Sequence, residues 1–504
     1  MQNHFDVVVI GGAFSGAATA LLLRRERPDL SVAIVERSTA FDRKVGEATT
    51  EVSGNFLTKR LSLTSHLNHH HISKQGLRFW FSGPDADLGR CGEMGAYYQV
   101  RLPSYQVDRA VLDQHVLDEA CAAGAVLFRP AKVTAVEPGR SVHIEAGSEP
   151  IQLSCRWVVD ASGRASFLAR KTKRLRPLPA HPTNSIWARF RGVADLDGHD
   201  LRSRFPEFAA ACQTSRAAAT NHLAGYGWWC WIIPLKGGDT SVGLVYDERL
   251  YTPPEGACLA ERLKAHLLAH PVGRELFSDA TAVEGDVKAY SSLPYFAEEI
   301  AGGGWQIVGD AAGFLDPLYS AGLDYCSWTA SSAVQRIKDE ADGKTVDYAD
   351  INARFARSYR AWFEGLYLEK YRYLGDAELM RAAFLMDLGW FFFGPVRTLC
   401  ACSRMGFSRF PFDGPVDGAV SHFMKFCNLR LARIAEKKRA AGTYGDRNLD
   451  VRYLVRGFEP TPKVLKMVWQ GIRCWLGAEI RALGLRPREQ AVVSPPEVAP
   501  VTAH

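Results

Sequence analysis

The sequence predicts an α/β protein: a Rossmann-like nucleotide-binding domain interleaved with a β-sheet substrate domain, followed by a helical C-terminal region. Three observations carry this. A strand–glycine turn–helix–strand unit opens the chain between Asp6 and Glu36. Strand-like alternation recurs around Ser185–Val193 and Trp228–Tyr246, and a further glycine-ended strand lies at 304–310. From about Tyr348 to Arg439 the pattern becomes helical and aromatic-rich.

Taken in order, Asp6–Ile10 (DVVVI) is a short apolar run suited to a buried parallel strand. Gly11–Gly16 is a glycine-rich turn, Ala17–Arg25 is built from helix formers, and Ser31–Glu36 is a second apolar strand. Val107–Ala123 reads as an amphipathic helix with Asp108 placed to cap it. Ser154–Asp160 is a strand running into the turn Ala161–Arg164, and Ala321–Asp339 is helical. Tyr444–Pro462 looks irregular, and Val464–Leu485 is a basic amphipathic helix. These elements divide the chain into a module over 1–360, a helical region over 361–487 and a disordered tail over 488–504. Within the module, Rossmann parts occupy about 1–60, 105–175 and 280–345, and the substrate sheet about 60–104 and 176–280.

Composition excludes several classes. With 504 residues, 47% hydrophobic and 23% charged, the chain needs no disulfide or metal staple. Its net charge of +6 is spread along the sequence, which argues against nucleic-acid binding. Eleven cysteines without a CxxC pair (Cys400 and Cys402 are the closest) indicate buried thiols in a reducing compartment and no zinc site. Asn3, His4 and Asp6 interrupt any signal peptide, and no run approaches a membrane span, so a soluble cytoplasmic protein is expected. His66, His69, His70 and His71 read as structural or solvated, because a consecutive run points its rings apart. The aromatic stretch Leu388–Phe393 reads as core. The helix at 464–485, with Trp469, Trp475, Lys466, Arg473 and Arg481, reads as docked on the protein's own body rather than on a membrane surface.

The turn Gly11-Gly12-Ala13-Phe14-Ser15-Gly16 stands where dinucleotide-binding proteins carry GxGxxG. A helix N-terminus there offers unpaired amides and partial positive charge to a pyrophosphate. Gly11 permits the tight turn and Gly16 the close helix–strand approach, while the Ala13 methyl sits where the phosphates should pass. Glu36, twenty residues after Gly16, is placed to accept from a ribose diol. Together with Val159–Arg164 (VDASGR), Gly309–Pro317 (GDAAGFLDP) and Val107–Asp113 (VDRAVLD), this turn resembles the FAD-binding monooxygenase superfamily with the hydroxybenzoate-hydroxylase fold. That resemblance implies FAD, with Asp310 on the ribityl chain, Gly313 in the same motif, and Arg109 near the cofactor.

Four further segments narrow the family. Ser73–Phe79 (SKQGLRF) resembles the FKxGxxF lysine segment of flavin-dependent halogenases, and Trp229–Pro234 (WCWIIP) resembles their WxWxIP signature, with Trp228 where most members have glycine. Gly46–Thr49 resembles their GES/GEA segment, and Asp316–Gly322 the loop over the flavin. The likeness spans about residues 5–330. It implies that FADH₂ and O₂ oxidise chloride or bromide to hypohalous acid. With one nucleotide fingerprint in the chain, a separate flavin reductase supplies the FADH₂. The halide rests on the backbone of Ala321 and Gly322, beside the loop serine Ser320, and Trp231 belongs to a wall between flavin and substrate.

Lys74 then activates the acid as a hydrogen-bond donor or carries the halogen as a haloamine. Neutralising an unperturbed lysine near pH 7 costs roughly 4–5 kcal/mol, so the second role needs a desolvated site. Tryptophan-halogenating members carry a glutamate just before the loop serine; Tyr319 stands there, which argues against free tryptophan. The expected substrate is a phenol-, pyrrole- or indole-like ring, free or carrier-bound, and Glu47 is a candidate general base by family position. Two rivals share the flavin motifs: a class A aromatic hydroxylase using NAD(P)H, and a flavin-dependent isoprenoid reductase.

Overall fold

Val7, Val8 and Val9 are fully buried, and the His4–Ile10 strand they form lies inside a parallel sheet. The computed structural model describes residues 3–97, 102–147, 149–401, 407, 409–455 and 461–486, so the expected tail at 488–504 lies outside the described residues. His4–Ile10 pairs in parallel with Val32–Val35 on one side and with Glu149–Asp160 on the other. Val126–Phe128 and Trp305–Ile307 extend the two flanks, also in parallel. The register aligns Ile10 with Val35 and Asp160, and Asp160 with Ile307. Gly11, Glu36, Ala161 and Val308 therefore emerge together at the carboxyl edge, where open α/β sheets bind ligands.

Among the described residues the second sheet has nine strands. Its antiparallel centre is Thr183–Arg191, Thr240–Asp247, Trp228–Pro234 and Thr220–Gly225; Leu77–Phe81 and Gly92–Ala96 follow. The expected Trp228–Tyr246 strand region thus resolves into a hairpin. Alternation sends Cys230 and Ile232 into a separate core with Leu263 and Leu267 of the Leu259–Ala269 helix, while Trp229 and Trp231 face the core shared with the parallel sheet. That alternation aims both indoles at the nucleotide side.

The C-terminal region departs from expectation in two ways. Tyr444–Pro462 is not wholly irregular: Arg452–Val455 pairs in parallel with Gly92–Ala96 at the edge of the substrate sheet. Four residues are too few to show a period, and their partner lies far away in sequence. The long helical pattern is cut into Tyr348–Trp362, Ala377–Phe391 and Pro415–Ala440, while Leu465–Leu483 forms the separate helix expected at 464–485. Asp347 and Asp376 cap two of these, accepting from Asp350 N and Leu379 N. Ala377–Cys400 is long and apolar enough to cross a membrane, contrary to the sequence reading, but 67% of its most apolar window is buried inside the fold.

Candidate active site

The carboxyl edge of the parallel sheet opens into a cavity of about 490 Å³. Gly11 has φ +96°, and a Cβ there would lie 2.5 Å from Ala161 O. A Cβ on Gly16 would lie 1.9 Å from Gly11 O, so only glycine lets the Phe14–Glu26 helix approach this closely. Ala13 caps that helix and lines the cavity. Gly12 N donates to Glu36 Oε2 at 2.8 Å, and Ser38 N and Oγ donate to Oε1. Burial opposes ionisation of Glu36, but these hydrogen bonds hold its pKa below the ordinary range. Glu36 is thus oriented and charged at the end of its strand, as a ribose acceptor must be.

Asp310 lines the same cavity on the single turn Gly309–Ala311. Burial raises its pKa, and Arg109 and Lys44 oppose that rise. Arg109 is held by a two-point contact with Asp113 (2.9 and 3.2 Å) and reaches Val45 O. Gly313, Ser320, Ala321 and Gly322 complete the cavity wall. Ala321 begins the long Gly322–Ala341 helix, whose first amides have no intrahelical partner, and a Cβ on Gly322 would meet open space. Ala13 at one helix N-terminus, the buried acid Asp310 and the start of a second helix line one cavity, and the glycine turn and Glu36 adjoin it through Ala13 and Arg37; this set fits a flavin dinucleotide.

Lys74 lies at the other side of the same loop. It is 6% exposed, its Nζ donates to Thr49 O at 2.8 Å, and it lines a small apolar cavity of about 60 Å³. Burial lowers its pKa to about 8, with Glu51 and Asp324 pulling the other way. Glu51, Tyr319, Phe384, Asp387, Leu388 and Phe391 share this cavity, so the aromatic stretch read as core also forms its wall. The two cavities abut. Ala48 and Ser320 line the nucleotide side, and their chain neighbours Thr49 and Tyr319 line the lysine side.

A buried network fixes the partition. Trp229 Nε1 donates to Tyr371 Oη at 2.8 Å, and Tyr371 Oη donates to Asp316 Oδ2 at 2.8 Å. His181 Nε2 sits 2.9 Å from the same carboxylate oxygen, while Asp316 Oδ1 accepts from Leu318 N. On the lysine side Tyr319 Oη donates to Asp387 Oδ2, which also binds Lys370 at 2.6 Å. Trp231 lines the nucleotide cavity and donates to Ser241 Oγ.

Glu47 also lies on the nucleotide side. Its Oε1 accepts from Arg189, and burial raises its pKa to about 7. Glu47, the expected general base, therefore does not line the lysine cavity. Glu51 shares the lysine cavity, and burial raises its pKa while Lys74 lowers it. The sequence reading missed Glu51 and Asp387. A single acid inside the apolar run AAFLMDLGWFFF was the available signal for Asp387. It also missed Thr220 and His222, both 1% exposed on one strand and both lining the nucleotide cavity. Among the described residues Thr220 Oγ1 has no hydrogen-bond partner, and His222 Nδ1 lies 3.0 Å from Arg78 O, which leaves Nε2 as an acceptor.

The histidine run differs from expectation too. His66 stacks on His115 at 3.7 Å, with the His70 and His71 rings at 4.8 and 5.2 Å, because His115 arrives from the Arg109–Ala122 helix. Among the described residues, no group of three or more His, Cys, Asp or Glu is arranged to hold a metal ion.

The family described as tryptophan halogenase matches residues 93–368, more than half of the chain. A flavin-dependent halogenase, chlA, of Dictyostelium discoideum is 26% identical over 387 residues, covering 69% of this chain and 62% of its own length. A 1H-pyrrole-2-carbonyl-[peptidyl-carrier protein] chlorinase of Pseudomonas fluorescens is 23% identical, covering 72% of this chain and 83% of its own. The chain thus spans less than two thirds of the Dictyostelium relative. The halogenase PltM superposes with a TM-score of 0.71 at 18% identity, covering 93% of this chain and 96% of its own; it is also known in complex with phloroglucinol and FAD. Because the family match covers more than half of the sequence, the chain belongs to the tryptophan halogenase family.

Proposed function

We propose that this chain is an FAD-dependent halogenase that forms hypohalous acid at the flavin and passes it to Lys74 for transfer to an electron-rich aromatic ring. The observation that carries the reading is a lysine buried in an apolar cavity one loop away from the nucleotide groove. Bound FAD, reduced by a separate flavin reductase, would supply the two electrons that activate O₂ to oxidise chloride or bromide. Gly11, Gly12, Ala13 and Gly16 would hold its pyrophosphate, Glu36 its ribose, and Asp310 its ribityl chain with Arg109 and Gly313 alongside. The amides of Ala321 and Gly322 would seat the halide beside Ser320. Trp229 and Trp231 keep the aromatic substrate out of the groove, which favours halogenation over hydroxylation.

Lys74 is poised between two charge states. With a pKa of about 8, forming the neutral amine at pH 7 costs only about 1.4 kcal/mol. The ammonium therefore dominates and donates to the oxidant's oxygen, yet the amine stays accessible. Glu51, held basic enough by burial, takes the ring proton after electrophilic attack. Tyr319 and Asp387 close the far wall, and the apolar lining suits a phenol, pyrrole or indole ring, free or carrier-bound. The test is aerobic incubation with a flavin reductase, chloride or bromide and a panel of such rings, read by mass spectrometry. Halogenated product supports the reading. Hydroxylated product formed with NAD(P)H and no reductase would replace it.

A further inference from the structure

Helix Leu465–Leu483 packs on the fold through a seam of small residues. A Cβ on Gly471 would lie 2.7 Å from Met386 Cγ, and one on Gly389 2.5 Å from Val468 Cγ2. Met467, Ala478 and Ala482 complete the buried stripe, so the helix docks on the protein's own body as its sequence suggests. That seam also fixes the rotation of the helix. The opposite stripe cannot turn inward, and it is strongly apolar: Leu465, Trp469, Leu476, Ile480 and Leu483 recur at helical spacing. Trp469, Ile480 and Leu483 are 60%, 69% and 81% exposed. Phe423 and Phe426 of the neighbouring helix are exposed as well, each edge-on to Trp475. Among the described residues, seven of the ten exposed large hydrophobics lie on these two helices. Single exposed apolar residues need no explanation, but a contiguous stripe does.

The charges beside the stripe select its partner. Residues 463–486 carry Lys463, Lys466, Arg473, Arg481 and Arg486; Arg481 is paired with Glu378, and the one acid, Glu479, is bound by Arg430 through two hydrogen bonds. Arg473 and Lys466 flank the apolar stripe directly at 100° per residue. A second copy of this chain would bring the same positive charges face to face. We propose that this face seats on an anionic lipid surface, with Trp469, Ile480 and Leu483 at the acyl boundary and the lysine and arginine heads among phosphates. The helix lies against Ala377–Phe391, whose Phe384, Leu388 and Phe391 line the lysine cavity, so the bound surface would stand next to the substrate side of the fold.

The full-length protein is sedimented with vesicles of phosphatidylcholine alone and of phosphatidylcholine with phosphatidylglycerol, which needs no flavin chemistry. Wild type should pellet at least tenfold more with the anionic vesicles. The exposed triple variant Trp469→Ser, Ile480→Ser, Leu483→Ser should lose that binding with unchanged Tm and flavin content. Lys466→Glu with Arg473→Glu should lose it as well. Failure of wild type to pellet overturns the proposal, as does equal pelleting of the serine variant, which would place the binding elsewhere. A lipid-free dimer that the serine variant dissolves, or capture of an acidic carrier protein in preference to vesicles, overturns it in favour of those partners.

Discussion

Replacing Lys74 with methionine should stabilise the protein while ending oxidant transfer. The ammonium is 6% exposed, and its pKa falls from 10.5 to about 8, with burial the largest cause. The folded chain therefore holds the charged form less favourably than the unfolded chain by about 3 kcal/mol. Methionine keeps the apolar stem and removes the charge. It also removes the hydrogen bond to Thr49 O, a loss of about 1 kcal/mol. The net gain at pH 7 is about 2 kcal/mol. Its sign with pH follows from linkage. A lysine whose folded pKa lies below its unfolded value destabilises fully below the folded pKa and not at all above the unfolded one. The advantage of the variant is thus complete below pH 8 and shrinks between about 8 and 10.5. Denaturant titrations of both proteins at pH 7 and pH 10 measure it. In the same variant, flavin content and peroxide release should persist while halogenated product falls by about 10²–10⁴-fold. Lower stability at pH 7 would refute the desolvation argument, and retained product would refute the role of Lys74.

Glu51→Gln should cut halogenation about 100-fold with normal flavin content. It should also shift the alkaline limb of the pH–rate profile downward, because Glu51 is the strongest group holding the lysine charged; an unmoved limb argues against that coupling. Gly16→Ala places a Cβ 1.9 Å from Gly11 O, so bound flavin, read by its visible absorbance, should fall at least tenfold. Tyr371→Phe strands Trp229 Nε1 and leaves Asp316 Oδ2 to His181 alone, which should cost about 1–3 kcal/mol and raise peroxide release per product formed. Unchanged coupling of peroxide to product would detach that network from the barrier.

What the sequence discloses depends on how local each constraint is. Gly16 is legible because Gly11 O fills the space where its side chain would stand, a demand met within six residues, and Gly11 because its positive φ belongs to the same short turn. Lys74 and Trp231 are legible because their segments are short and contiguous. Glu51, Asp387, Thr220 and Tyr371 come from four separate elements, and their proximity is created only by tertiary packing. The same reason hides the His66–His115 stack and the Arg452–Val455 strand, whose partners are remote in sequence. Glu47 shows the converse limit. Its segment resembles a family pattern, but a motif does not say which side of a wall its carboxylate faces.

That wall is a single strained loop. Tyr319 and Ser320 have φ of +69° and +61°, conformations that cost non-glycine residues about 1–3 kcal/mol each. Strain of this size persists only where neighbours over-determine the backbone. Here Asp316 is held by His181, Tyr371 and Leu318 N, Leu318 O accepts from Tyr367 Oη, and Tyr319 is tied to Asp387. The anchors come from both sides of the partition, so loosening either set frees the same few peptides. In the proposed reaction the loop has two opposed tasks: its amides seat a halide on one face, while its tyrosine closes the substrate cavity on the other. A more relaxed backbone would let Tyr319 swing and open a direct path between the cavities. Reactive acid would then escape Lys74 or meet the ring unguided. The strain is therefore the structural counterpart of selectivity, because it holds the oxidant's source and its target apart by the thickness of one residue.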